Sequence, residues 1–255
     1  MRLGVLSDVH GNRFALQAVL EDLRRAAPDA ILNLGDQAYG AADPLAATEL
    51  QAALGAVEVR GNNDERVDPR YDPVFDDAPR EPFTAWVREA IGPAHAARLG
   101  ALPLTATLAG GTVLAFHASP RNAWTAALET WEDGRMERLA TEAEVRERLA
   151  GFGPPALVIT GHTHRERELR FDGFTVVNAG SVGWQHDGDP RARWTLLTRG
   201  HDGEWRAEFR RVPYDTRAAA AHVQRVSPEP EPEVSMIARA TRLGRWPART
   251  PTPPA

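Results

Sequence analysis

The stretch Arg2-Leu3-Gly4-Val5-Leu6-Ser7-Asp8-Val9-His10-Gly11-Asn12 is a short apolar run that ends in polar residues. Residues 14–26 then carry leucine, valine and alanine at helical spacing. This order predicts a strand, a loop and a helix. Asp8 and His10 stand two positions apart at the strand end, so their side chains can project to the same side and bind one cation.

The same unit recurs along the first quarter of the chain. Residues 30–34 are apolar and lead into Asp36, residues 44–54 have a helical pattern, and the apolar residues 57–59 lead into Asn62. Strands that alternate with helices predict an α/β sheet with functional residues at the strand ends. At this level Asp36 could equally cap a helix, and Asn62 could form a turn.

The second half of the chain favours hairpins. Three pairs of short apolar segments flank glycine-containing turns, two further segments have helical patterns, and one more buried strand follows the second of these. The pairs are 104–108 with 112–116, 168–171 with 174–178, and 194–198 with 205–212; the helices are 83–99 and 140–149, and the strand is 156–160. The mixture predicts two packed sheets flanked by helices.

Histidines follow two of these strands. His117 comes directly after residues 114–116, and the apolar strand 156–160 leads through Gly161 to His162 and His164. A lone histidine is usually structural, but here five strand ends in order each present a nitrogen or oxygen ligand. This joint pattern predicts a metal site formed by Asp8, His10, Asp36, Asn62, His117, His162 and His164.

The composition excludes several other chemistries. The chain has no cysteine, which rules out a disulfide framework, a zinc-thiolate site and a cysteine nucleophile. All 30 basic residues are arginine, so neither a Schiff-base lysine nor a phosphate-loop lysine exists. The net charge of -5 gives no general attraction to nucleic acid. An early Asp8 and the lack of a run of about 18 apolar residues favour a cytoplasmic protein without membrane spans.

The motifs D-x-H, G-D, G-N-x-D, a lone histidine after a strand and G-H-x-H, in this order, resemble the calcineurin-like metallophosphoesterase family. The resemblance covers about residues 1–213. Within the family the chain looks closest to small bacterial phosphodiesterases and diadenosine tetraphosphatase-like proteins, judged by residues 7–16 and 178–192. The family implies a four-layer αββα sandwich that holds two divalent metal ions.

The resemblance also assigns the ligands. It implies one ion bound by Asp8, His10 and His164 and a second bound by Asn62, His117 and His162, with Asp36 bridging them. Nitrogen and oxygen ligands suit manganese, iron, zinc, nickel or magnesium, and the histidine content makes manganese the first expectation. Two such ions would activate a bridging water as the nucleophile.

Asn63 departs from the family pattern. Many relatives have a histidine there that is thought to protonate the leaving group, and asparagine cannot act as an acid. This loss matters least when the leaving group departs as a stable anion, which predicts a phosphodiester or a phosphoanhydride such as a dinucleoside polyphosphate. Asp64 is expected to orient its neighbours, or to cap a helix. Asp36, Asn63 and Asp64 are thus the residues expected to act in catalysis.

Residues that follow two of the ligands are candidates for substrate contact. Asn12 and Arg13 follow His10, and Arg121 and Asn122 follow His117, so all four could contact substrate phosphate; they could also be ordinary loop residues. Three tryptophans in loops could stack a base or pack a small core, namely Trp124, Trp131 and Trp184. The remaining histidines, His95, His186, His201 and His222, have no motif around them and are expected at the surface.

The chain is expected to consist of a domain at residues 1–213, with a loop and helical insertion at about 65–100, and a helical, proline-rich extension at 214–255. The aspartate- and proline-rich residues 64–80 are too broken for a regular element. Three other functions remain open: a nuclease, a phosphatase of proteins or small monoesters, and a non-catalytic scaffold of the same fold. The expected partner is a small phosphorylated substrate, such as a nucleotide; the sequence does not indicate an oligomeric state.

Overall fold

Two five-stranded β-sheets form the centre of the protein. The computed structural model describes residues 1–71, 81–132, 135–228 and 233–245. Its strands are β1 (Arg2–Leu6), β2 (Ala30–Asn33), β3 (Val57–Glu58), β4 (Thr105–Leu108), β5 (Val113–Phe116), β6 (Glu129–Glu132), β7 (Arg135–Leu139), β8 (Leu157–Thr160), β9 (Arg167–Phe171), β10 (Phe174–Asn178), β11 (Ala192–Arg199) and β12 (Trp205–Val212). Its helices are α1 (Arg13–Ala26), α2 (Pro44–Ala52), α3 (Asn62–Val67), α4 (Glu81–Gly100), α5 (Glu142–Arg148), α6 (Thr216–Val226) and α7 (Glu233–Leu243).

Both sheets are mixed. The first has the order β12-β11-β1-β2-β3 and the second has the order β4-β5-β8-β10-β9. Strand β1 pairs parallel to β2 and antiparallel to β11, whereas β8 pairs parallel to both β5 and β10. Because β1, β2 and β3 run parallel, as do β5, β8 and β10, the ends at which the predicted ligands stand collect at one edge of each sheet.

The sheets pack face to face through an apolar core. Leu3, Val5 and Leu32 from the first sheet share a fully buried cluster with Val113 and Ile159 from the second. Burial of each such side chain contributes about 1.5–3 kcal/mol. This core fixes the distance between the two sets of strand ends.

Helices cover the outer faces. Leu16 of α1 packs with the buried Trp194 of β11, and Val145 of α5 packs with Phe116 and Val158 of the second sheet. The order of layers is therefore helix, sheet, sheet, helix, which confirms the predicted α/β fold. Within the described ranges, none of the helices is long and apolar enough to cross a membrane.

One local prediction was wrong, and one element was not predicted. The stretch that starts at Asp64 begins inside helix α3 rather than in a loop, because the Asp64 carboxylate accepts a hydrogen bond from the Gly61 amide and caps the helix. Residues 72–80 of that stretch lie outside the described residues. The hairpin of β6 and β7 was not predicted, although Asp133-Gly134 is a hairpin dipeptide of the same type as Asp172-Gly173.

The C-terminal helices share a core with the insertion. Val223 of α6 and Val234 of α7 are buried in one cluster with Phe83 and Val87 of α4 and with Tyr39. The helices beyond residue 213 therefore pack into a core together with residues that precede it. The proposed division of the chain at residue 213 stays a prediction. The proline-rich residues 229–232 and 246–255 lie outside the described residues.

Asp22 connects helix α1 to the first sheet, and we expect its loss to destabilise the fold. Its carboxylate accepts hydrogen bonds from Trp194 Nε1 at 3.0 Å and from Arg210 Nε at 2.8 Å. Asp22→Ala should lower the free energy of unfolding by about 2–3 kcal/mol at pH 7, since charged hydrogen bonds are lost. Glu21→Ala, at an exposed position of the same helix, is the control and should change little.

The effect should depend on pH in one direction. Hydrogen bonds from Arg210 hold the pKa of Asp22 below its ordinary value. A carboxyl whose folded pKa is depressed stabilises the protein above the unfolded pKa of about 3.9, and this contribution is lost as the pH falls through the folded pKa. Urea titrations should therefore show the Asp22→Ala deficit at pH 7 and a smaller deficit below about pH 4. An equal deficit at both pH values would contradict this account.

Candidate metal centre

The seven predicted ligands converge at one edge of the two sheets. Asp8 follows β1, Asp36 follows β2, His117 follows β5, and His162 and His164 follow β8. Asn62 is the first residue of α3, directly after β3. All but His162 are buried, so the set lies at the bottom of the site rather than on an open surface.

Three of these residues form a first cluster. His164 Nε2 lies 3.2 Å from Asp8 Oδ1 and 3.1 Å from His10 Nε2. His10 Nε2 is 3.8 Å from the same Asp8 oxygen. The three atoms point to a common centre, which is the geometry of a metal site with one carboxylate and two imidazole ligands.

Three others form a second cluster. Asn62 Oδ1 lies 3.1 Å from His117 Nε2 and 3.0 Å from His162 Nδ1, and the two histidine nitrogens are 3.3 Å apart. An amide oxygen and two imidazole nitrogens can likewise hold one divalent ion.

Asp36 lies between the clusters. Its Oδ2 is 3.6 Å from His10 Nε2 and its Oδ1 is 3.6 Å from His117 Nε2, so each oxygen faces one cluster. Asp8 Oδ1 is also 3.9 Å from His117 Nε2, which brings Asp8 close to both clusters. This arrangement gives Asp36 the position of a bridge.

Hydrogen bonds orient three of the imidazoles. The Nδ1 atoms of His10, His117 and His164 lie 2.9, 2.8 and 2.6 Å from the backbone carbonyl oxygens of Tyr39, Leu34 and Trp184. A carbonyl only accepts, so each Nδ1 carries a proton, and in the neutral ring each Nε2 turns a lone pair to the centre.

The surroundings of the two Asp8 carboxylate oxygens indicate whether a cation fits the site. Asp8 Oδ2 accepts hydrogen bonds from Ser7 Oγ and from the His162 amide, whereas Oδ1 is buried and has no hydrogen-bond partner among the described residues. A carboxylate oxygen without a partner is costly in the protein interior. A divalent ion among these donors would remove that cost, and the donor set therefore fits a metal.

The protonation states of two histidines and of both carboxylates suit metal binding. Burial lowers the pKa of His10 and of His162 to about 4, so both imidazoles are neutral at pH 7. Burial by itself raises the pKa of Asp8 and of Asp36, but the neighbouring histidines outweigh it and keep both pKa values below the ordinary value. For His117, burial lowers the pKa and the facing carboxylates raise it above the ordinary value.

The backbone at the ligands is strained. Five of the seven residues have positive φ angles, namely Asp8 (55°), His10 (48°), Asp36 (56°), His162 (69°) and His164 (58°). This left-handed conformation costs about 1–2 kcal/mol for a residue other than glycine. Strain of this kind concentrates at functional sites, where the surrounding structure holds it in place.

Gly161 allows the strands to approach each other, and we expect its replacement to disturb the centre. A Cβ atom at this position would lie 1.9 Å from Ser7 Oγ and 2.8 Å from Asp8 Oδ2. Gly161→Ala should therefore displace Asp8 and weaken metal binding by about 10- to 100-fold in calorimetric titrations. Gly55→Ala is the control for the added methyl group, because Gly55 has open space around it; its φ of 63°, which Gly161 does not share, strains alanine only at that distant position. Equal metal affinity in the two variants would contradict the expectation.

Asn63 and Asp64 contact Asp36. The Asn63 amide donates to Asp36 Oδ1 at 2.8 Å, and its side-chain Nδ2 donates to Asp36 Oδ2 at 2.5 Å. Asp64 accepts from the backbone amides of Asp36 and Gln37, and burial together with the Asp36 charge raises its pKa to about 7. Both residues thus hold Asp36, while their part in catalysis stays a prediction.

Asn12 and Arg13 have partners at the start of α1. Asn12 Oδ1 accepts from the Ala15 amide at 3.1 Å and caps the helix, and its Nδ2 donates to the Gly183 carbonyl at 3.3 Å. Arg13 Nε forms an ion pair with Asp43 at 2.8 Å. These contacts are not with the seven ligands, and substrate binding by the two residues stays a prediction.

Arg121 and Asn122 have partners in the loop after His117. Arg121 donates to the Ala150 carbonyl at 2.7 Å, and Asn122 Oδ1 accepts from the amides of Trp124 and Thr125. Asn122 therefore shapes the loop. Substrate binding by these two residues stays a prediction as well.

Sequence reasoning missed two neighbours of the centre. His186 is exposed as expected, yet its ring stacks on His164 with 4.7 Å between the centroids and 17° between the planes. Trp184 packs edge-on against His10, 4.4 Å away. The chain returns to the first cluster through residues 181–186, and only three-dimensional proximity reveals this.

A groove opens beside His162. Its volume is about 670 Å³, and its lining includes Trp124, Glu129, Arg148, Arg165 and His186. Sites for small molecules typically measure about 300–1,000 Å³. The groove is therefore large enough for a substrate that extends well beyond one phosphate.

Known proteins resemble this chain over most of its length. A model of the calcineurin-like phosphoesterase superfamily domain matches residues 1–200. An uncharacterized protein of Methanocaldococcus jannaschii is 26% identical over 234 residues, with 85% of this chain and 89% of that protein covered.

Two crystal structures superpose on nearly the whole chain. The metallophosphoesterase from Sphaerobacter thermophilus has a TM-score of 0.70 at 26% identity and covers 93% of this chain and 99% of its own. A hypothetical protein from Pyrococcus horikoshii OT3 has a TM-score of 0.73 at 18% identity and covers 96% of this chain and 99% of its own. At this low identity the likeness is evidence for the fold only. Taken with the family match, these likenesses show that the chain belongs to the calcineurin-like phosphoesterase superfamily and is a phosphoester hydrolase.

Proposed function

We propose that the protein is a two-metal phosphodiesterase or nucleotide phosphoanhydride hydrolase. The observation that carries this proposal is the pair of donor clusters with one Asp36 oxygen facing each. Asp8, His10 and His164 would hold one divalent ion, and Asn62, His117 and His162 would hold the other. Manganese is the first candidate, because neutral imidazoles with carboxylates favour a transition metal.

The chain's own residues prepare this chemistry. When bound, two cations would polarise the phosphoryl oxygens and make a nearby water acidic. Asp36 and Asp8 would supply the negative charge to hold the ions, and the three carbonyl acceptors keep the imidazole rings in one orientation. Asn63 holds Asp36 through two hydrogen bonds, but it has no proton to give to a departing group.

Asn63 and the groove together favour a particular substrate class. Without an acid at residue 63, leaving groups that depart as stable anions react best, as in anhydrides of nucleotides and activated diesters. The groove beside His162 provides room for the second half of such a substrate. A dinucleoside polyphosphate combines both properties.

A nuclease is the second candidate. Arg148 and Arg165 line the groove and could face a nucleic acid backbone. Against it, the chain has a net charge of -5, whereas nucleic acid binding usually needs a basic surface. Digestion of plasmid and single-stranded DNA separates the two functions.

One experiment tests the proposal directly. The purified protein should contain two metal ions per chain by elemental analysis after loading with manganese. Bis-p-nitrophenyl phosphate and diadenosine tetraphosphate should be turned over better than p-nitrophenyl phosphate and phosphoserine peptides. Equal or better turnover of phosphoserine peptides, or a single tightly bound ion with full activity, would contradict the proposal.

A further inference from the structure

Arg66 lies one helical turn after Asn63 in α3, and the fold directs it to the edge of the metal centre. Its Nη1 donates to Asn63 Oδ1 at 2.7 Å. Asn63 in turn donates through Nδ2 to Asp36 Oδ2. Two hydrogen bonds therefore connect the guanidinium group with the bridging carboxylate.

This contact fixes the direction of the Asn63 side chain. The oxygen and nitrogen of an asparagine amide are hard to distinguish by position alone. Arginine can only donate, so the Asn63 oxygen must face Arg66 and the NH₂ group must face Asp36. A permanent positive charge thus stands beside Asn63, the position at which the resemblance to the family implies a histidine acid in many relatives.

Aromatic rings hold the guanidinium group in place. Arg66 Cζ lies 5.1 Å from the ring centroid of Tyr39 and 5.1 Å from that of Trp124. Trp124 is itself fixed, because its Nε1 donates to Glu65 Oε2 at 2.7 Å. Trp124 also lines the groove beside His162, so Arg66 lies between Asn63 at the metal centre and one wall of this groove.

We propose that Arg66 binds the anionic leaving group of the substrate at the junction of the metal centre and the groove. This inference rests on the proposed function and narrows it to phosphoanhydrides, whose leaving group is itself a phosphate. A guanidinium group has five donors in a plane, which suits phosphate oxygens. Arg66 is only half-buried, so a substrate can reach this region.

The reaction needs a charge at this point rather than a proton. In anhydride hydrolysis a water oxygen forms a bond to phosphorus, and the bond from phosphorus to the bridging oxygen breaks. The leaving phosphate keeps the electron pair, and the proton of the water passes to solvent. Arg66 stabilises the charge that develops on the leaving phosphate and keeps all its own protons.

Arg66→Gln separates charge from position. Glutamine can still donate to Asn63 Oδ1, but it carries no charge. For diadenosine tetraphosphate kcat/KM should fall about 10- to 100-fold, as expected for a lost charged hydrogen bond. For bis-p-nitrophenyl phosphate, whose leaving group has no phosphate, the change should stay below about 3-fold. Arg66→Lys should recover part of the loss, and Arg24→Gln, at an exposed position of α1, should behave as the unmodified protein.

A binding measurement adds a readout without turnover. Calorimetry with ADP should give a Kd that rises about 10-fold or more in Arg66→Gln, while the affinity for adenosine stays the same. Equal losses with both substrates would show that Arg66 only positions Asn63, and no loss with either would show that it does not contact substrate; both outcomes overturn the proposal. If the unmodified protein turns over neither substrate, the proposed function fails, and the ADP titration still tests Arg66. Unfolding curves confirm that each variant is folded.

Discussion

Replacement of His162 by alanine is expected to lower kcat/KM by about 10³-fold or more with every phosphoester tested. His162 supplies Nδ1 to the second cluster, 3.0 Å from Asn62 Oδ1 and 3.3 Å from His117 Nε2. With it removed, only an amide oxygen and one imidazole remain beside the Asp36 bridge. A lost metal ion removes several kcal/mol of transition-state stabilisation, and about 4 kcal/mol corresponds to 10³ in rate.

The measurement needs both kinetics and metal content. Elemental analysis of His162→Ala should show the loss of about one ion per chain, and excess manganese should restore little activity. His201→Ala is the control, because His201 is exposed in the turn between β11 and β12. If His162→Ala keeps two ions and most of its activity, the assignment of the second cluster is wrong.

A chain that ends at residue 213 is expected to lose most of its stability. Helices α6 and α7 bury Val223 and Val234 against Phe83 and Tyr39 in one apolar cluster. Their removal exposes that cluster, and at about 1.5–3 kcal/mol for each large side chain the loss is on the order of 5 kcal/mol or more. This is comparable to the whole stability of an ordinary domain.

The truncation should also reach the metal centre. The Tyr214 hydroxyl receives a hydrogen bond from Asn12, and a cavity beside His10 is closed by Val223 and Thr241. The shortened chain should therefore show lower metal affinity together with a lower midpoint of thermal unfolding. A chain that ends at Arg245 is the control and keeps both helices. Unchanged stability on truncation at 213 would support an independent domain there.

Strand ends made most of the site predictable from the sequence. Asp8, Asp36 and His117 each follow a recognisable apolar strand, and the structure brings them within hydrogen-bond or ion-pair distance of their predicted neighbours. This works because parallel strands present their carboxyl ends at one edge, so local pattern decides tertiary position. The two packed sheets follow from the same periodicity.

What the sequence did not reveal depends on packing between distant segments. Arg66 lies beside Asn63 and packs between Tyr39 and Trp124, and no local pattern encodes this three-way contact. His186 meets His164 through a loop whose path is set by β10 and β11. Contacts between side chains that are distant in the sequence are seen only in the three-dimensional structure.

The left-handed backbone at five ligands has a consequence for attempts to evolve this protein in the laboratory. Glycine or asparagine would relax the chain at these positions, by about 1–2 kcal/mol each where the conformation is fully relieved. Screening for heat tolerance alone would thus reward substitutions that destroy the metal centre. Selection for a more heat-stable variant should therefore measure turnover as well as stability, and the substitutions should be confined to the outer helices.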